Sequence, residues 1–262
     1  MAVPIIIAFV FGAIIGSFLN VVICRFKTGM GIGGRSMCMS CGKSLTWREL
    51  IPIFSFISLS GKCRGCMSKI SWQYPLVELA TATLFALIFY RFPPASEAGL
   101  ILLAIYLIIS CILIVITVYD SKHKIIPDSL VYTFDLLAFV TVFIGGSTIV
   151  HAPHVWTILA GPILALPFAL LWVISKGRWI GLGDAKLVLG IGWLLGLQAA
   201  TSSIIISFWI GAGVSIIWMI FSYKKIKRGM EIPFGPFLVL GAYLVFLFGF
   251  NVLDLRLLAS LF

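Results

Sequence analysis

The sequence consists largely of uninterrupted apolar runs separated by short polar segments. A helix needs about 20 apolar residues to cross the roughly 30 Å hydrocarbon core of a bilayer. Runs of this kind lie at 4–24, 75–91, 99–119, 128–147, 155–175, 185–199, 202–222 and 233–251. Because the runs are continuous rather than alternating, they favour helices over a transmembrane β-barrel. The sequence therefore predicts an all-α polytopic membrane protein with about eight transmembrane helices, the sixth being short enough that it could begin earlier and include Asp184.

Composition supports a membrane location. Hydrophobic residues make up 61% of the 262 positions and charged residues 11%, with a mean hydropathy of +1.15. A soluble globule of this length would need more polar surface. The first apolar run has no basic segment before it and no small-residue cleavage site after it, which favours a retained span over a signal peptide.

The distribution of basic residues predicts the topology. Of the 19 Lys and Arg residues, all except Arg91 and Arg256 lie in or beside alternate loops. Basic loops remain in the cytoplasm. We therefore expect both termini outside and the following segments inside: 25–74, 120–127, 176–184 and 223–232. The net charge of +10 comes mainly from basic residues of these predicted cytoplasmic loops, so it does not indicate a nucleic-acid partner.

The loop 25–74 contains two C-x-x-C motifs. Cys38-Met39-Ser40-Cys41 and Cys63-Arg64-Gly65-Cys66 are separated by 21 residues. Four thiolates with this spacing can hold Zn²⁺ tetrahedrally, and four cysteine ligands leave no open position for catalysis. A reducing cytoplasm disfavours two disulfides, while free or redox-active thiols remain the alternative. The motifs predict a cytoplasmic zinc-knuckle loop with a structural metal.

Two acidic residues stand at the edges of apolar runs. Asp120 ends the run before it, and Asp184 follows Gly181-Leu182-Gly183. A carboxylate near hydrocarbon costs roughly 2.5 kcal/mol or more, so such acids indicate functional sites. Both fall on the predicted cytoplasmic side, where they can meet at one depth. Close carboxylates share a proton, which allows one to act as general base while the other polarises a scissile carbonyl.

Other readings of this acid pair stay open. A proton-coupled transporter could also place two acids in the membrane, although the sequence shows no pseudo-symmetric halves. A zinc-knuckle scaffold without catalysis would leave both acids unexplained. We prefer aspartyl peptide hydrolysis, in which Gly181 and Gly183 let substrate backbone or water approach Asp184.

The remaining acids have structural interpretations beside functional ones. Glu78, near the start of the second run, could bind a ligand or could be an interfacial helix-start carboxylate. Asp128 follows Pro127 at the position of a helix cap. Asp135 is a candidate lining residue of a polar cavity. In the first helix, Gly16-Ser17-Phe18-Leu19-Asn20 could serve helix packing or lie near the site.

Six segments together resemble the type IV prepilin peptidases, in the order expected for that family and over nearly the whole chain. They are Gly16-Ser17-Phe18-Leu19-Asn20, the paired C-x-x-C loop, Tyr74-Pro75-Leu76-Val77-Glu78, the Asp120 segment ending in Ile126-Pro127-Asp128, Gly181-Leu182-Gly183-Asp184-Ala185-Lys186 and Pro233-Phe234-Gly235-Pro236. The last of these would leave backbone polar groups unpaired, so it is expected to border a protein-lined or watery cavity.

The resemblance implies an activity and a division of the chain. Asp120 and Asp184 would be the catalytic pair of an aspartic endopeptidase that removes the short basic leader from type IV prepilins or type II secretion pseudopilins. Cleavage would occur at the cytoplasmic face of the bacterial inner membrane. The three parts would be a first transmembrane helix (1–24), the cytoplasmic zinc-binding loop (25–74) and a transmembrane peptidase core (75–262).

The resemblance also implies a second activity, N-methylation of the new terminus with S-adenosylmethionine, for which the sequence shows no recognisable motif. The expected partners are prepilin or pseudopilin substrates and membrane lipid. Because basic loops repel a basic leader, substrate recognition is expected to depend on packing of an apolar substrate helix. Glu49, Glu78 and Glu231 are the candidate acidic contacts.

Overall fold

The computed structural model describes residues 2–28, 31, 33–144, 154–221 and 232–252. Within these ranges the chain forms helices and no β-strand. The helices are α1 (Ala2–Arg25), α2 (Phe54–Ser58), α3 (Gln73–Arg91), α4 (Glu97–His123), α5 (Asp128–Ile144), α6 (His154–Ser175), α7 (Leu182–Leu195), α8 (Leu197–Phe221) and α9 (Gly235–Phe248), with one 3₁₀ turn at Trp47–Leu50.

The predicted all-α polytopic membrane fold is confirmed. Helices α1 and α3 to α9 correspond to the eight apolar runs. By length and composition alone, five helices of the described ranges are able to cross a membrane: α1, α3, α4, α6 and α8. Helix α9 is a shorter apolar helix. The sixth run, 185–199, was expected to be able to begin earlier and include Asp184, and α7 does begin at Leu182. It ends earlier than the run, at Leu195, because Gly196 with its positive φ of 78° separates it from α8.

The chain divides into two compact units, one comprising Met1–Ala95 and Tyr106–Val115, the other Ser96–Ile105 and Ile116–Phe262. In the first unit, glycines on α1 allow close contact with α3. A Cβ at Gly12 would lie 2.8 Å from the Cα of Ala82, and one at Gly16 would lie 2.8 Å from the Cα of Glu78. Small residues at an interface let helix backbones approach. This contact supports a helix-packing role for Gly16, the first of the two interpretations of the Gly16–Asn20 segment.

In the second unit, α7 lies at the centre and contacts α5, α6, α8 and α9. It crosses α6 closely, because a Cβ at Gly192 would lie 2.6 Å from the Cα of Gly161. On another face of α7, the side chains of Phe134 and Asp135 from α5 pack directly against Gly190, which has no side chain of its own to exclude them. A helix of 14 residues is only about 21 Å long. Helix α7 is therefore held mainly by its neighbours, with most of its residues buried.

The contact between α6 and α7 gives a test of this packing. We expect Gly192→Ala to destabilise the protein by about 1–3 kcal/mol, because the added methyl group meets backbone that cannot rotate away. The matched control is Gly213→Ala in α8, where a Cβ meets nothing within 4 Å. Thermal unfolding in detergent should show a lower midpoint for the first variant alone. Equal midpoints would contradict the close crossing.

Candidate active site and metal centre

Asp120 lies in the last turn of α4 and is only 4% exposed. The helix ends because Lys124 adopts a left-handed conformation, with φ of 55°, and its N–H donates to the Asp120 carbonyl at 2.7 Å. Such a terminal residue satisfies a carbonyl that the helix leaves unpaired. The chain then turns through Ile126 and Pro127 into α5. The carboxyl group of Asp120 is thereby buried at a helix end.

Asp184 lies in the first turn of α7 and is also buried. The backbone N–H of Gly181 donates to Asp184 Oδ2 at 3.2 Å, and the N–H of Asp184 donates to the Gly181 carbonyl at 3.2 Å. This reciprocal arrangement satisfies backbone groups that the start of a helix leaves free, and the helix dipole favours a negative charge there. The local sequence thus fixes where the carboxylate points.

The two acids converge around Ile126 and Gly235. A Cβ at Gly183 would lie 2.9 Å from the Cβ of Ile126. A Cβ at Gly235 would lie 2.6 Å from Asp120 Oδ2 and 3.3 Å from Ile126 Cδ1. The Asp120 carboxyl thus lies against the start of α9, and the two carboxyl groups lie within coulombic range of each other. The end of α4 and the starts of α7 and α9 therefore form one site.

This arrangement is suited to acid–base chemistry. Two carboxyl groups that influence each other in a buried site do not both ionise readily, and the pair titrates as a unit. One member can then accept a proton while the other donates one. Gly235 belongs to the turn that was expected to border a cavity, and its missing side chain leaves room for Asp120.

Asp128 makes a contact that the sequence did not predict. The helix α5 begins at Asp128 itself, so this residue lies in the first turn rather than at the cap position before it. Its Oδ1 accepts a hydrogen bond from Lys186 Nζ at 2.7 Å. Lys186 also lies over the ring of Tyr132, 4.7 Å from the centroid. These contacts hold the start of α7 to α5, and no pattern in the sequence signals a pair 58 residues apart.

Asp135 is buried between α5 and α7, 5% exposed, and packs against Gly190. Within the described ranges, neither of its carboxyl oxygens has a hydrogen-bond partner. An unpaired polar group in such a place is costly and calls for a role. The suggestion that Asp135 lines a polar cavity stays a prediction.

Glu78 has an intramolecular partner in the first unit. It is 7% exposed, and its Oε2 accepts the backbone N–H of Ile53 at 2.7 Å. Ile53 has a φ of 63°, a strained value for a β-branched residue. Glu78 therefore fixes the cysteine loop where it enters α2. Whether Glu78 also has a role in ligand binding stays a prediction.

The four cysteines of the two motifs form one cluster. Their Sγ atoms all lie within 4.8 Å of one another, and Cys38 Sγ lies 3.8 Å from Cys66 Sγ. Metal–sulfur bonds of about 2.3 Å in a tetrahedron place sulfur atoms about 3.8 Å apart. The cluster can bind a metal ion.

Comparison with known proteins places the chain in a family. Residues 10–92 match the Bacterial Peptidase A24 N-terminal domain, and residues 107–216 match the Type IV leader peptidase family. No solved structure matches the chain.

Several curated relatives are similar along almost their whole length, and each is a prepilin leader peptidase/N-methyltransferase. The Bacillus subtilis strain 168 relative is 32% identical, covering 95% of this chain and 96% of its own. The Xanthomonas campestris relative is 31% identical, covering 93% and 91%. The Pseudomonas aeruginosa relative is 28% identical, covering 91% and 88%. The chain is therefore a membrane peptidase that belongs to the type IV leader peptidase family.

Proposed function

We propose that the chain is an aspartic endopeptidase in which Asp120 and Asp184 hydrolyse the leader peptide bond of type IV prepilins or type II secretion pseudopilins. The observation that carries the proposal is the convergence of two buried carboxyl groups, from helices remote in sequence, around Ile126 and Gly235. A proton-coupled transporter explains the acids equally well, but it does not explain the similarity to peptidases along the whole chain.

The proposed reaction uses the two carboxyl groups in opposite protonation states. The ionised group takes a proton from a water molecule, whose oxygen attacks the scissile carbonyl carbon, while the protonated group donates a proton to the carbonyl oxygen. The tetrahedral intermediate then collapses. Its C–N bond breaks as the first carboxyl group passes its newly gained proton to the leaving amine, and a hydroxyl group of the intermediate returns a proton to the second carboxyl group as the product carboxyl group forms. Both enzyme groups return to their starting state.

We place the site at the cytoplasmic face of the bacterial inner membrane, on the grounds of the basic loops. In this setting the apolar helix of the substrate packs in the lipid beside the enzyme. Glu49 accepts from Lys43, and Glu78 from Ile53, so each already has a partner, while Glu231 lies outside the described residues. Acidic contacts with the leader therefore stay a prediction, as does the division into 1–24, 25–74 and 75–262.

For the metal, we propose a structural zinc ion held by Cys38, Cys41, Cys63 and Cys66. Sulfur spacing near that of a zinc tetrahedron supports this assignment. When bound, zinc would stabilise the fold of the loop and would supply no catalytic position. By family resemblance we also propose that the chain methylates the new N-terminus, with S-adenosylmethionine as methyl donor.

The acid pair can be tested by removing each charge without changing its shape. We expect Asp120→Asn and Asp184→Asn each to lower prepilin cleavage by a purified, reconstituted enzyme at least about 1,000-fold, because each substitution removes a proton donor or acceptor. The control is Glu97→Gln, which removes an exposed acid from the first turn of α4, at the opposite end of that helix from Asp120. Cleavage retained by either of the first two variants, folded as the wild type, would refute the pair.

The position of Gly235 gives a second test of the site. Gly235→Ala places a methyl group 2.6 Å from Asp120 Oδ2, so the carboxyl group must move. Displacements of about 1 Å at a catalytic group can cost about 100-fold in rate. We therefore expect cleavage to fall about 10- to 100-fold with little change in the thermal midpoint. Wild-type cleavage by Gly235→Ala would show that Asp120 need not occupy this position.

If zinc has a structural role, variants of the four cysteines should lose zinc before they lose the ability to hydrolyse the peptide bond. We expect Cys38→Ser and Cys66→Ser to lower bound zinc, measured by elemental analysis, from about one ion per chain to a small fraction, with a lower thermal midpoint, because metal binding contributes to folding of such sites. Cys111→Ser, which changes a thiol in α4 outside the cluster, is the control. Full zinc content together with abolished hydrolysis in Cys38→Ser would contradict a purely structural role.

A further inference from the structure

A groove of about 610 Å³ lies in the first unit, between helix α2 and the start of α3. Apolar side chains line most of it, among them Ile57, Trp72, Leu76 and Leu79. Among the described residues that line it, none belongs to α1 or to the acid pair. Binding sites for small organic molecules usually have volumes of about 300–1,000 Å³. The groove is therefore large enough for an organic ligand.

The apolar wall of the groove continues along one face of α3. Trp72 precedes this helix, and Leu76 and Leu79 follow at spacings of four and three residues, which place side chains on one face of a helix. Their exposed fractions are 70%, 59% and 47%. Helix α3 is long and apolar enough to cross a membrane. The described part of the chain therefore leaves this apolar face of α3 uncovered, as a surface in contact with lipid would be.

Helix α2 forms the opposite wall and is fixed to α3. The N–H of Ile53, just before α2, donates to Glu78 Oε2 at 2.7 Å. The ring of Phe56 in α2 packs against the ring of Trp72, with centroids 4.9 Å apart. Tryptophan is enriched at the boundary between membrane and water. Because Trp72 stands directly before a helix that can span the membrane, its position indicates that the groove lies at the membrane surface.

Two lysines lie side by side in the lining of the groove. Lys62 and Lys69 face each other across an isolated antiparallel bridge, which is supported by the Ile70 N–H donating to the Gly61 carbonyl at 2.7 Å. Residues directly opposite in an antiparallel pair have Cβ atoms about 4.5–5.5 Å apart, and like charges there repel each other. Within the described residues, neither ammonium group has an ion pair. An anion bound between the two lysines would relieve their repulsion.

We propose that this groove binds one phospholipid whose headgroup carries a net negative charge. The headgroup would lie at Lys62 and Lys69, and an acyl chain would lie along Trp72, Leu76 and Leu79. Basic pockets beside transmembrane helices on the cytoplasmic side bind anionic headgroups, and the basic residues of 25–74 favour that side for this segment. The bound lipid attaches the cysteine loop to the membrane surface, and its binding is independent of peptide hydrolysis.

The same charges argue against other occupants. The leader of the proposed substrate is basic, so the two lysines would repel it. A free phosphate ion would satisfy the lysines but would leave the apolar wall of α3 uncovered. A phospholipid with an anionic headgroup matches both parts of the groove.

The test measures lipid binding to the full chain in detergent by native mass spectrometry. We expect the wild type to bind one phosphatidylglycerol at least about tenfold more tightly than phosphatidylcholine with the same acyl chains, because only the first has a net charge. Lys62→Gln/Lys69→Gln should lose this preference, and Lys62→Arg/Lys69→Arg should keep it. The control is Lys27→Gln/Lys176→Gln, which removes two exposed lysines outside the lining and should bind as the wild type does.

A second variant tests the apolar half of the groove. Leu76→Ala removes part of the wall of α3, so we expect it to bind phosphatidylglycerol at least about threefold more weakly than the wild type. The control is Leu166→Ala in α6, a leucine that is exposed to a similar extent and lies outside the lining. Glycerol phosphate, which has no acyl chain, should not bind at the lipid concentrations used. Thermal midpoint and zinc content report folding of each variant.

Several results would overturn the proposal. These are equal affinity of the wild type for the two lipids, an unchanged preference in a folded Lys62→Gln/Lys69→Gln, and wild-type affinity in Leu76→Ala. Binding of glycerol phosphate as tight as that of the lipid would indicate a site for free phosphate instead. Displacement of the lipid by a prepilin would indicate a substrate site, and a lipid-free dimer that Leu76→Ala separates would indicate an interface between two copies. If the lysine variant does not fold, the comparison of the two lipids on the wild type and Leu76→Ala still decides.

Discussion

Burial of ionisable groups in an apolar chain is the constraint on which this structure depends. A carboxylate removed from water must find compensation where it lies, because its desolvation costs more than a typical contact provides. Asp184 lies at the start of α7, where its carboxyl group accepts a hydrogen bond from the Gly181 N–H. The positive end of the helix dipole also stabilises a negative charge at this position. Asp120 lies at the end of α4, where its carboxyl group packs against the backbone of Gly235. The acids are therefore placed where helix ends meet, since only there does backbone remain free to compensate them.

Glycine makes both the packing and the site possible. At Gly12, Gly16 and Gly192 the missing side chain lets another helix approach to backbone contact. At Gly183 and Gly235 the same property leaves room for Ile126 and the Asp120 carboxyl. In lipid, where helices gain little from hydrophobic burial against each other, close packing of this kind is a main source of association energy. Glycine therefore has two roles: it allows the helices to pack closely, and it allows Ile126 and the Asp120 carboxyl group to lie close to the helix starts at Gly183 and Gly235.

The sequence predicts features that local chemistry determines and misses those that depend on distant contacts. Within the described ranges, hydropathy located the eight helices of 14 residues or more, and spacing located the four cysteines that cluster. The acids at 120 and 184 were singled out because a charge beside an apolar run is unusual. The pair of Lys186 with Asp128 and the bond from Ile53 to Glu78 were not predicted. Each joins residues at least 25 positions apart, and nothing in the local sequence of one partner identifies the other.

The charges around the two acids affect the chemistry that the pair can carry out. Peptide hydrolysis by two acids requires carboxyl groups with few compensating charges, since a cation beside them would fix both in the ionised form. Lys186 lies two residues after Asp184 in α7, but its ammonium group is paired with Asp128. Residues two positions apart on a helix do not face each other, so Lys186 and Asp184 lie on different sides of α7. The pairing of Lys186 with Asp128 therefore leaves the proposed acid pair free to share one proton.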